Sequence, residues 1–211
     1  SFREKGIASA QYALRPATAD RDAKELGYGR GVAGTILESE MVGQAEDPDD
    51  IRFTAERLDI HRKMGAKIIM LKMADGTMRS AHLQQRLSED SEALKLHMLF
   101  RPLHYDPAKL NQEEVMDPKL AKRLVMCYVD NFDREGFDAA DVEFARQHLT
   151  ELFGQAIEVV LMPPEMVPNI AELAKNYPML MQQVERDYGN VEEHADRIKA
   201  ALAKPANPDA R

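Results

Sequence analysis

Apolar residues recur at helical spacing over much of the second half of the chain. The Asp117-Pro118 step predicts a helix start, because aspartate caps free backbone amides and proline fits the first helical turn. A second helix is predicted to begin after Asp138 and to end at Gly154. The predicted core faces of the two helices are Leu120, Leu124, Cys127 and Tyr128, and then Val142, Ala145, Leu149 and Leu152. Together these signals predict a helical hairpin.

The last predicted helix begins at Asn190, where Glu193 completes a pattern that resembles a capping box. Its apolar stripe is narrow and consists of Val191, Ala195, Ile198 and Leu202. A stripe of this width suits one packed seam, either against the chain's own core or against a neighbouring subunit. Residues 205–211 carry no core residue, and we expect a flexible tail there.

A long helix is the favoured prediction for the region that follows residue 50. It begins at Ile51, capped by Asp49 or Asp50, and runs to Ala74. Its apolar residues fall close together on the helical wheel, namely Phe53, Ile60, Met64, Ile68 and Leu71. A further helix is predicted over residues 78–100.

The same region also carries the signals of a β-hairpin. In this alternative Gly65 ends the helix, and strands cover residues 67–73 and 77–82. Asp75-Gly76 lies between them and is a dipeptide that favours hairpin turns. Alternation of apolar and polar residues is imperfect on both sides, so the hairpin stays the second choice.

Composition favours helices over strands. The chain of 211 residues holds 27 Ala, 20 Leu and 12 Met against 25 Val, Ile and Thr together. The predicted fold is therefore mainly α, an irregular multi-helix bundle with at most one small hairpin near residues 67–82. We divide it into an irregular N-terminal segment with a glycine-rich turn at 1–46, a helical core at 47–162, C-terminal helices packed on the core or on a partner at 163–204, and the tail at 205–211.

Charge and cysteine content narrow the classes of partner and location. The net charge of −8 opposes the electrostatic attraction on which nonspecific binding to nucleic acid relies, so nucleic acid is an unlikely partner. No apolar run approaches the length of a membrane span, and none is expected. The single cysteine, Cys127, cannot form an internal disulfide, which is consistent with a reducing, cytoplasmic location.

A glycine-rich hexapeptide at residues 29–34 matches the pattern G-x-G-x-x-G of phosphate-binding loops. The residues that would bind phosphate are Gly29, Arg30, Gly31 and Gly34. A dinucleotide fingerprint requires a buried strand directly before the loop, whereas residues 20–26 are polar and helical in pattern. A flexible turn is therefore favoured, and a nucleotide- or phosphate-binding enzyme is the alternative. We expect no cofactor.

Residues Asn131–Asp138 lie between two predicted helices, as a calcium loop would. Oxygen donors occupy the first, third and fifth positions, and Gly136 occupies the sixth. Val142, however, stands at the position of the bidentate carboxylate. An interhelical turn is favoured, and a calcium-responsive helical pair is the alternative.

A basic segment stands out in this acidic chain. Between Arg52 and Lys72 there are six basic and two acidic residues. The segment predicts either a salt-bridged outer helix face or a docking strip for an acidic partner. The strip consists of Arg52, Arg57, Arg62, Lys63 and Lys67.

Chemistry-bearing residues form no complete catalytic set in the sequence. Cys127 is expected to pack as a small apolar group, and the six histidines are expected to be structural, not metal ligands. His97 and His104 are the most notable pair, because they flank the Arg101-Pro102 break. The predicted function is a non-catalytic helical interaction or structural protein in a larger assembly. Its partner would be a protein or a second copy, bound through the basic strip and through Val191, Ile198 and Leu202.

Overall fold

A mixed α/β fold replaces the helical bundle that the sequence predicts. The computed structural model describes residues 7–29, 31–81 and 96–204, with side chains from residue 14 onward. Within these ranges the chain forms seven α-helices and a six-stranded antiparallel sheet. The prediction of a mainly α bundle with at most one small hairpin is therefore wrong. The tail at 205–211 lies outside the described residues.

The sheet has the strand order β1-β4-β2-β6-β5, and β3 pairs with β2 beside this path. All pairs are antiparallel. Its strands are β1 (Gly34–Ser39), β2 (Lys67–Met73), β3 (Met78–Ser80), β4 (His97–Pro102), β5 (Glu114–Met116) and β6 (Ala156–Met162).

Six of the seven described helices form two groups. In the first group α3 and α4 pack on each other and contact β1, β2 and β6. In the second group α2 packs on α7, and α5, α6 and α7 pack on one another. The helices are α1 (Ile7–Glu25), α2 (Pro48–Lys63), α3 (Pro118–Glu135), α4 (Ala139–Gln155), α5 (Ile170–Ala174), α6 (Pro178–Tyr188) and α7 (Val191–Ala203). None of the helices in the described ranges is long and apolar enough to span a membrane.

The central strand β2 shows why the pattern of apolar and polar residues did not predict the sheet. Residues 68–71 point alternately to opposite faces, and all four are fully buried, so both faces of the sheet are covered. A strand buried on both faces has no apolar and polar alternation. Its sequence, Ile-Ile-Met-Leu, also contains residues that the composition argument assigned to helices.

The favoured helix over residues 51–74 is wrong, and the alternative hairpin is present. Helix α2 is capped by Asp47 and ends at Lys63, after which Gly65 adopts a φ of +85° that interrupts the helix. The turn at Asp75-Gly76 follows β2, and Gly76 has a φ of +83°. The helix predicted over 78–100 is also wrong where the structure describes it, because its first and last residues lie in β3 and β4.

Strands β3 and β4 occupy the same edge of β2. Residues 70–72 of β2 pair with β6 on one side and with β3 on the other, whereas Lys67 and Ile68 pair with β4. The Ser80 hydroxyl donates a hydrogen bond of 2.9 Å to the Leu96 carbonyl oxygen. The two strands are thus consecutive pieces of one edge, although residues 82–95 separate them in the sequence.

The predicted hairpin of α3 and α4 is present with its predicted caps. Asp117 and Asp138 accept hydrogen bonds from backbone amides of the first turns. The core face of α4 is as predicted, but that of α3 is rotated. Its buried residues are Ala121, Val125, Val129 and Phe132, while Leu120, Leu124 and Tyr128 are half-buried and Cys127 is exposed.

Helix α7 packs on its own chain. Ile198 is fully buried and lies so close to Gly43 that a side chain at that glycine would overlap it. Val191 and Ala195 are buried as well. Leu202 is 46% exposed, so the last residue of the predicted stripe stays outside the seam.

Candidate ligand cavity

A buried lysine lies at the start of the central strand. Gly65 ends the preceding helix turn, and the chain enters β2 at Lys67, whose side chain is only 7% exposed. Its ammonium group donates a hydrogen bond of 2.8 Å to the Gln112 carbonyl oxygen and forms a very close ion pair with Glu114 on β5. Burial of a lysine is rare without such partners.

Lys67 lines a cavity of about 470 Å³ between β2, β5 and the segment at residues 102–110. This volume falls in the usual range of small-molecule pockets, which are mostly apolar and carry a few convergent polar groups. The apolar lining includes Phe100, Met116, Leu120 and Leu161. The polar lining beyond the ion pair includes His104, Tyr105 and Lys109.

A glycine positions the wall of this cavity. Gly65 has a φ of +85°, and a Cβ there would lie 2.5 Å from Cγ of Tyr105. The tyrosine ring therefore packs directly on the backbone of residue 65. This contact holds the 102–110 segment against the start of β2.

The carboxylates around the cavity have different roles. Asp106 accepts a hydrogen bond of 2.9 Å from the Ala108 amide, and Asp117 accepts one of 2.7 Å from the Leu120 amide. Both acids are thus engaged as caps. Glu114 is the counter-ion of Lys67, and its side chain is 40% exposed.

A second, smaller cavity of about 310 Å³ lies between α2 and residues 164–172. Its polar groups satisfy one another: Arg62 pairs with Asp59 at 2.7 Å and with Glu165 at 3.5 Å. The Asn169 side chain caps α5. This cavity therefore offers fewer uncommitted groups than the one beside Lys67.

The glycine-rich loop lies between a helix and a strand, in the opposite order to that of a phosphate-binding loop. It follows α1 and leads into β1, so no helix begins at Gly29, Gly31 or Gly34. The Val32 amide already donates a hydrogen bond of 2.9 Å to the Asp20 carboxylate, whose pKa is lowered mainly by its hydrogen bond with Lys24. A carboxylate at this amide opposes an incoming phosphate. Arg30 lies outside the described residues.

The calcium loop was the alternative to an interhelical turn at residues 131–138, and the structure does not favour it. Residues 131–135 belong to α3, and Gly136 ends the helix in the left-handed conformation. Asp133 is ion-paired with Arg146 of α4. Among the described residues no group of three or more carboxylate, histidine or cysteine side chains is placed to hold a metal ion.

The basic strip is divided by the end of α2. Arg57 pairs with Glu40, Arg62 with Asp59, and Lys63 also with Asp59. Arg52 forms an ion pair with Asp49. Lys67 lies on β2 and is buried, so it does not share the outer helix face with the other four. Docking of an acidic partner on the remaining strip stays a prediction.

The two highlighted histidines lie near opposite ends of β4: His97 is its first residue, and His104 follows its last residue by two positions. His97 is 1% exposed, and burial lowers its pKa to about 3. Its Nδ1 atom and Oγ of its cross-strand neighbour Ser39 are buried without a hydrogen-bond partner among the described residues. His104 is exposed at the mouth of the Lys67 cavity.

Sequence reasoning named Lys67 and His104 but assigned them other roles, and it missed Glu114 and Tyr105 entirely. The sequence signal for a buried Lys67 was its position at the start of an apolar run shortly after Gly65. Comparison with known proteins adds no relative, because no family model, curated protein or solved structure matches the chain.

Proposed function

We propose that the chain binds a small apolar carboxylic acid in the cavity beside Lys67, with the ligand's carboxylate on the lysine ammonium group. The observation that carries this proposal is the unequal burial of one ion pair. The Lys67 side chain is only 7% exposed, whereas that of its counter-ion Glu114 is 40% exposed.

This inequality favours exchange of one carboxylate for another. A buried ammonium group without a counter-ion is strongly unfavourable, so Lys67 always needs an anion beside it. Glu114 lies on a three-residue strand at the edge of the sheet and can turn into water at low cost. A carboxylate that arrives with an apolar body takes its place and gains additional burial of apolar surface.

The shape of the site indicates the class of acid. Phe100, Met116 and Leu161 are buried side chains of the cavity wall, and they suit an aliphatic chain or a single aromatic ring. Lys109 and His104 lie at the exposed mouth. We therefore expect medium-chain fatty acids and aryl-alkanoic acids to bind, and equally apolar alcohols to bind weakly.

Isothermal titration calorimetry with octanoate and with 1-octanol tests the proposal. Octanoate is expected to bind more tightly than 1-octanol, since only its carboxylate can replace Glu114 as the counter-ion of Lys67. Lys67→Met should abolish this preference. Lys72→Met is the matched control, because Lys72 lies on the same strand, is 45% exposed and pairs with Glu158 at 3.5 Å.

Glu114→Gln distinguishes exchange from a purely structural ion pair. Removal of the competing carboxylate should tighten octanoate binding, whereas loss of a structural pair would lower stability without improving affinity. Equal affinity for octanoate and octanol, or weaker octanoate binding by Glu114→Gln, contradicts the proposal.

The assembly role predicted from the sequence stays a prediction. Two of its three apolar anchors, Val191 and Ile198, are buried in the chain's own core. The third, Leu202, lines the small cavity beside Arg62.

A further inference from the structure

The guanidinium group of Arg79 on strand β3 has no counter-ion in the described part of the chain. It forms no ion pair there and donates no hydrogen bond, and its Nε atom is buried without an acceptor. The side chain as a whole is half-buried. A buried N–H donor without an acceptor is unfavourable, and a partner that supplies an acceptor removes this cost. Arg79 is therefore a partly desolvated cation that lacks an acceptor.

Two ionisable neighbours, Tyr177 and Asp75, do not serve as the counter-ion. The guanidinium carbon of Arg79 lies 5.1 Å from the ring centroid of Tyr177. Burial raises the pKa of this phenol to about 12, despite the opposing effect of the Arg79 charge, so the hydroxyl is neutral at pH 7. The Asp75 carboxylate accepts hydrogen bonds from the hydroxyl and the amide of Thr77, which are the main causes of its lowered pKa, and the charge of Arg79 contributes less. The turn before β3 thus occupies this carboxylate.

Tyr177 is the centre of a cluster that reaches the surface. Its hydroxyl oxygen lies 2.9 Å from Nε2 of His148 and 4.0 Å from Sδ of Met179. The ring of Phe144 is nearly parallel to that of His148, with 6.4 Å between the ring centroids. Tyr177 is 5% exposed, whereas Phe144 is 53% and Met179 is 38% exposed. The cluster therefore presents two exposed apolar side chains around a buried phenol that has Arg79 over its ring.

The Arg79 surface, formed by Arg79, Tyr177, His148, Phe144 and Met179, favours a carboxylate as the missing acceptor. A guanidinium group can donate two parallel hydrogen bonds to one planar carboxylate. The described contacts of this surface include one arginine and no lysine, so a singly charged carboxylate balances its charge better than a doubly charged phosphate group does.

The position of the Arg79 surface suits a protein partner better than an enclosed small molecule. Neither the Lys67 cavity nor the cavity beside Arg62 is lined by any of its residues. Arginine, aromatic residues and methionine are enriched in protein interfaces, where a few such side chains contribute most of the affinity. An acidic side chain between apolar residues complements the Arg79 surface, because it supplies both the carboxylate and a cover for Phe144 and Met179.

We propose that the Arg79 surface docks an acidic segment of a partner protein. One glutamate or aspartate carboxylate of that segment accepts hydrogen bonds from Arg79, and the apolar side chains beside it pack on Phe144 and Met179. This docking does not depend on the ligand proposed for the Lys67 cavity, because the two sites share no residue.

Calorimetric titration of the full chain with two peptides tests this inference. The peptides Gly-Phe-Glu-Phe-Gly and Gly-Phe-Gln-Phe-Gly are acetylated and amidated, so they differ in one carboxylate. The glutamate peptide is expected to bind about fivefold more tightly, which corresponds to the upper end of the range for surface ion pairs. A phosphoserine peptide of the same frame should bind no more tightly than the glutamate peptide, since the described contacts of the Arg79 surface offer no second arginine or lysine.

Substitutions then assign the preference to Arg79. Arg79→Met should abolish the preference for the glutamate peptide, and Arg79→Lys should reduce it, because lysine keeps the charge but loses the planar pair of donors. Arg123→Met is the matched control, because Arg123 is exposed on α3 and its loss changes the net charge equally. Lys67→Met should also leave the preference unchanged, which shows that the peptide does not bind in the Lys67 cavity. Phe144→Ala should weaken the binding of both peptides by the same factor.

Thermal melting verifies that each variant is folded, and Arg79→Lys decides the question if Arg79→Met is not. Equal affinity of the wild type for the glutamate and glutamine peptides, or an unchanged preference in the folded Arg79 variants, would overturn the proposal. Loss of the preference in Arg123→Met or in Lys67→Met would overturn it as well, and so would much tighter binding of the phosphoserine peptide.

Discussion

The lowered pKa of His97 should make the native state less stable as the pH falls, at pH values well above those at which most carboxylates titrate. The imidazole is buried at the start of β4, and burial lowers its pKa from 6.5 to about 3. In the unfolded chain the same group takes up a proton below pH 6.5, while the folded chain does not until about pH 3. Stability is therefore lost as the pH falls through this interval.

The size of the effect follows from the difference in pKa. Each pH unit below 6.5 is equivalent to about 1.4 kcal/mol, so this one histidine should remove about 2 kcal/mol of stability at pH 5. Burial is the cause of the lowered pKa of His97, and neither its Nδ1 atom nor Oγ of the neighbouring Ser39 has a hydrogen-bond partner within the described structure. We therefore expect the full loss of about 2 kcal/mol of stability at pH 5.

Urea denaturation at pH 7.5, 6.5, 5.5 and 5.0 measures this loss. His97→Gln cannot titrate, and its unfolding free energy should fall by about 2 kcal/mol less than that of the wild type between pH 7.5 and 5.0. His61 and His194 also have lowered pKa values because of burial, but they are present in both proteins and cancel in the comparison. His104→Gln, an exposed histidine, is the control. Equal pH dependence of the wild type and His97→Gln would refute the reasoning.

Three further predictions test the packing. Gly65→Ala should reduce the unfolding free energy more than Gly76→Ala in urea titrations, because both have a positive φ but only the first displaces the ring of Tyr105; equal losses would contradict this. Ile198→Asp should unfold the chain as followed by circular dichroism, and a folded variant with wild-type melting temperature would show that the seam is not buried. Cys127 should react with a thiol reagent in the native state at the rate of an exposed cysteine, and protection from the reagent would contradict its exposure.

Local capping signals were a reliable part of the sequence. Asp117, Asp138 and Asn190 each cap a helix as predicted, because a cap depends on a side chain and on amides two or three residues away. The apolar face of α4 followed from the same local periodicity. The predicted buried face of α3 was wrong. Leu120 and Leu124 favour one side of the helix, whereas the tertiary packing buries Ala121 and Val125 on another side.

The sheet depends on pairings that no local window contains. Strand β2 pairs with β6, about ninety residues later in the chain, and the burial of both faces of β2 removes the alternation that marks a surface strand. The Gly65 and Asp75-Gly76 signals were present in the sequence, but the helical wheel of residues 51–74 outweighed them. The composition wrongly predicted a mainly helical fold, because Met and Leu occupy both the strands and the helices of this core.

The candidate site could not be predicted from the sequence for a related reason. Lys67 and Glu114 are far apart in the chain and meet only because β2 and β5 both flank β6. A lone lysine in a basic stretch is indistinguishable from a surface lysine until the neighbouring strands are placed. His104 was singled out by its position after a proline, yet its relation to Lys67 required the fold.

The shared edge of β3 and β4 has a consequence for how the register of the sheet is set. The pairs Met70–Ser80 and Ile68–Leu99 continue one another along β2, and the Ser80 hydroxyl donates a hydrogen bond to the Leu96 carbonyl oxygen where the two pieces meet. Each piece is aligned with β2 by its own pairs, so the alignment of one piece does not depend on the number of residues between the two. The edge is therefore a split strand whose halves are registered separately, and a slip of one half by one residue would turn its side chains to the opposite face without moving the other half.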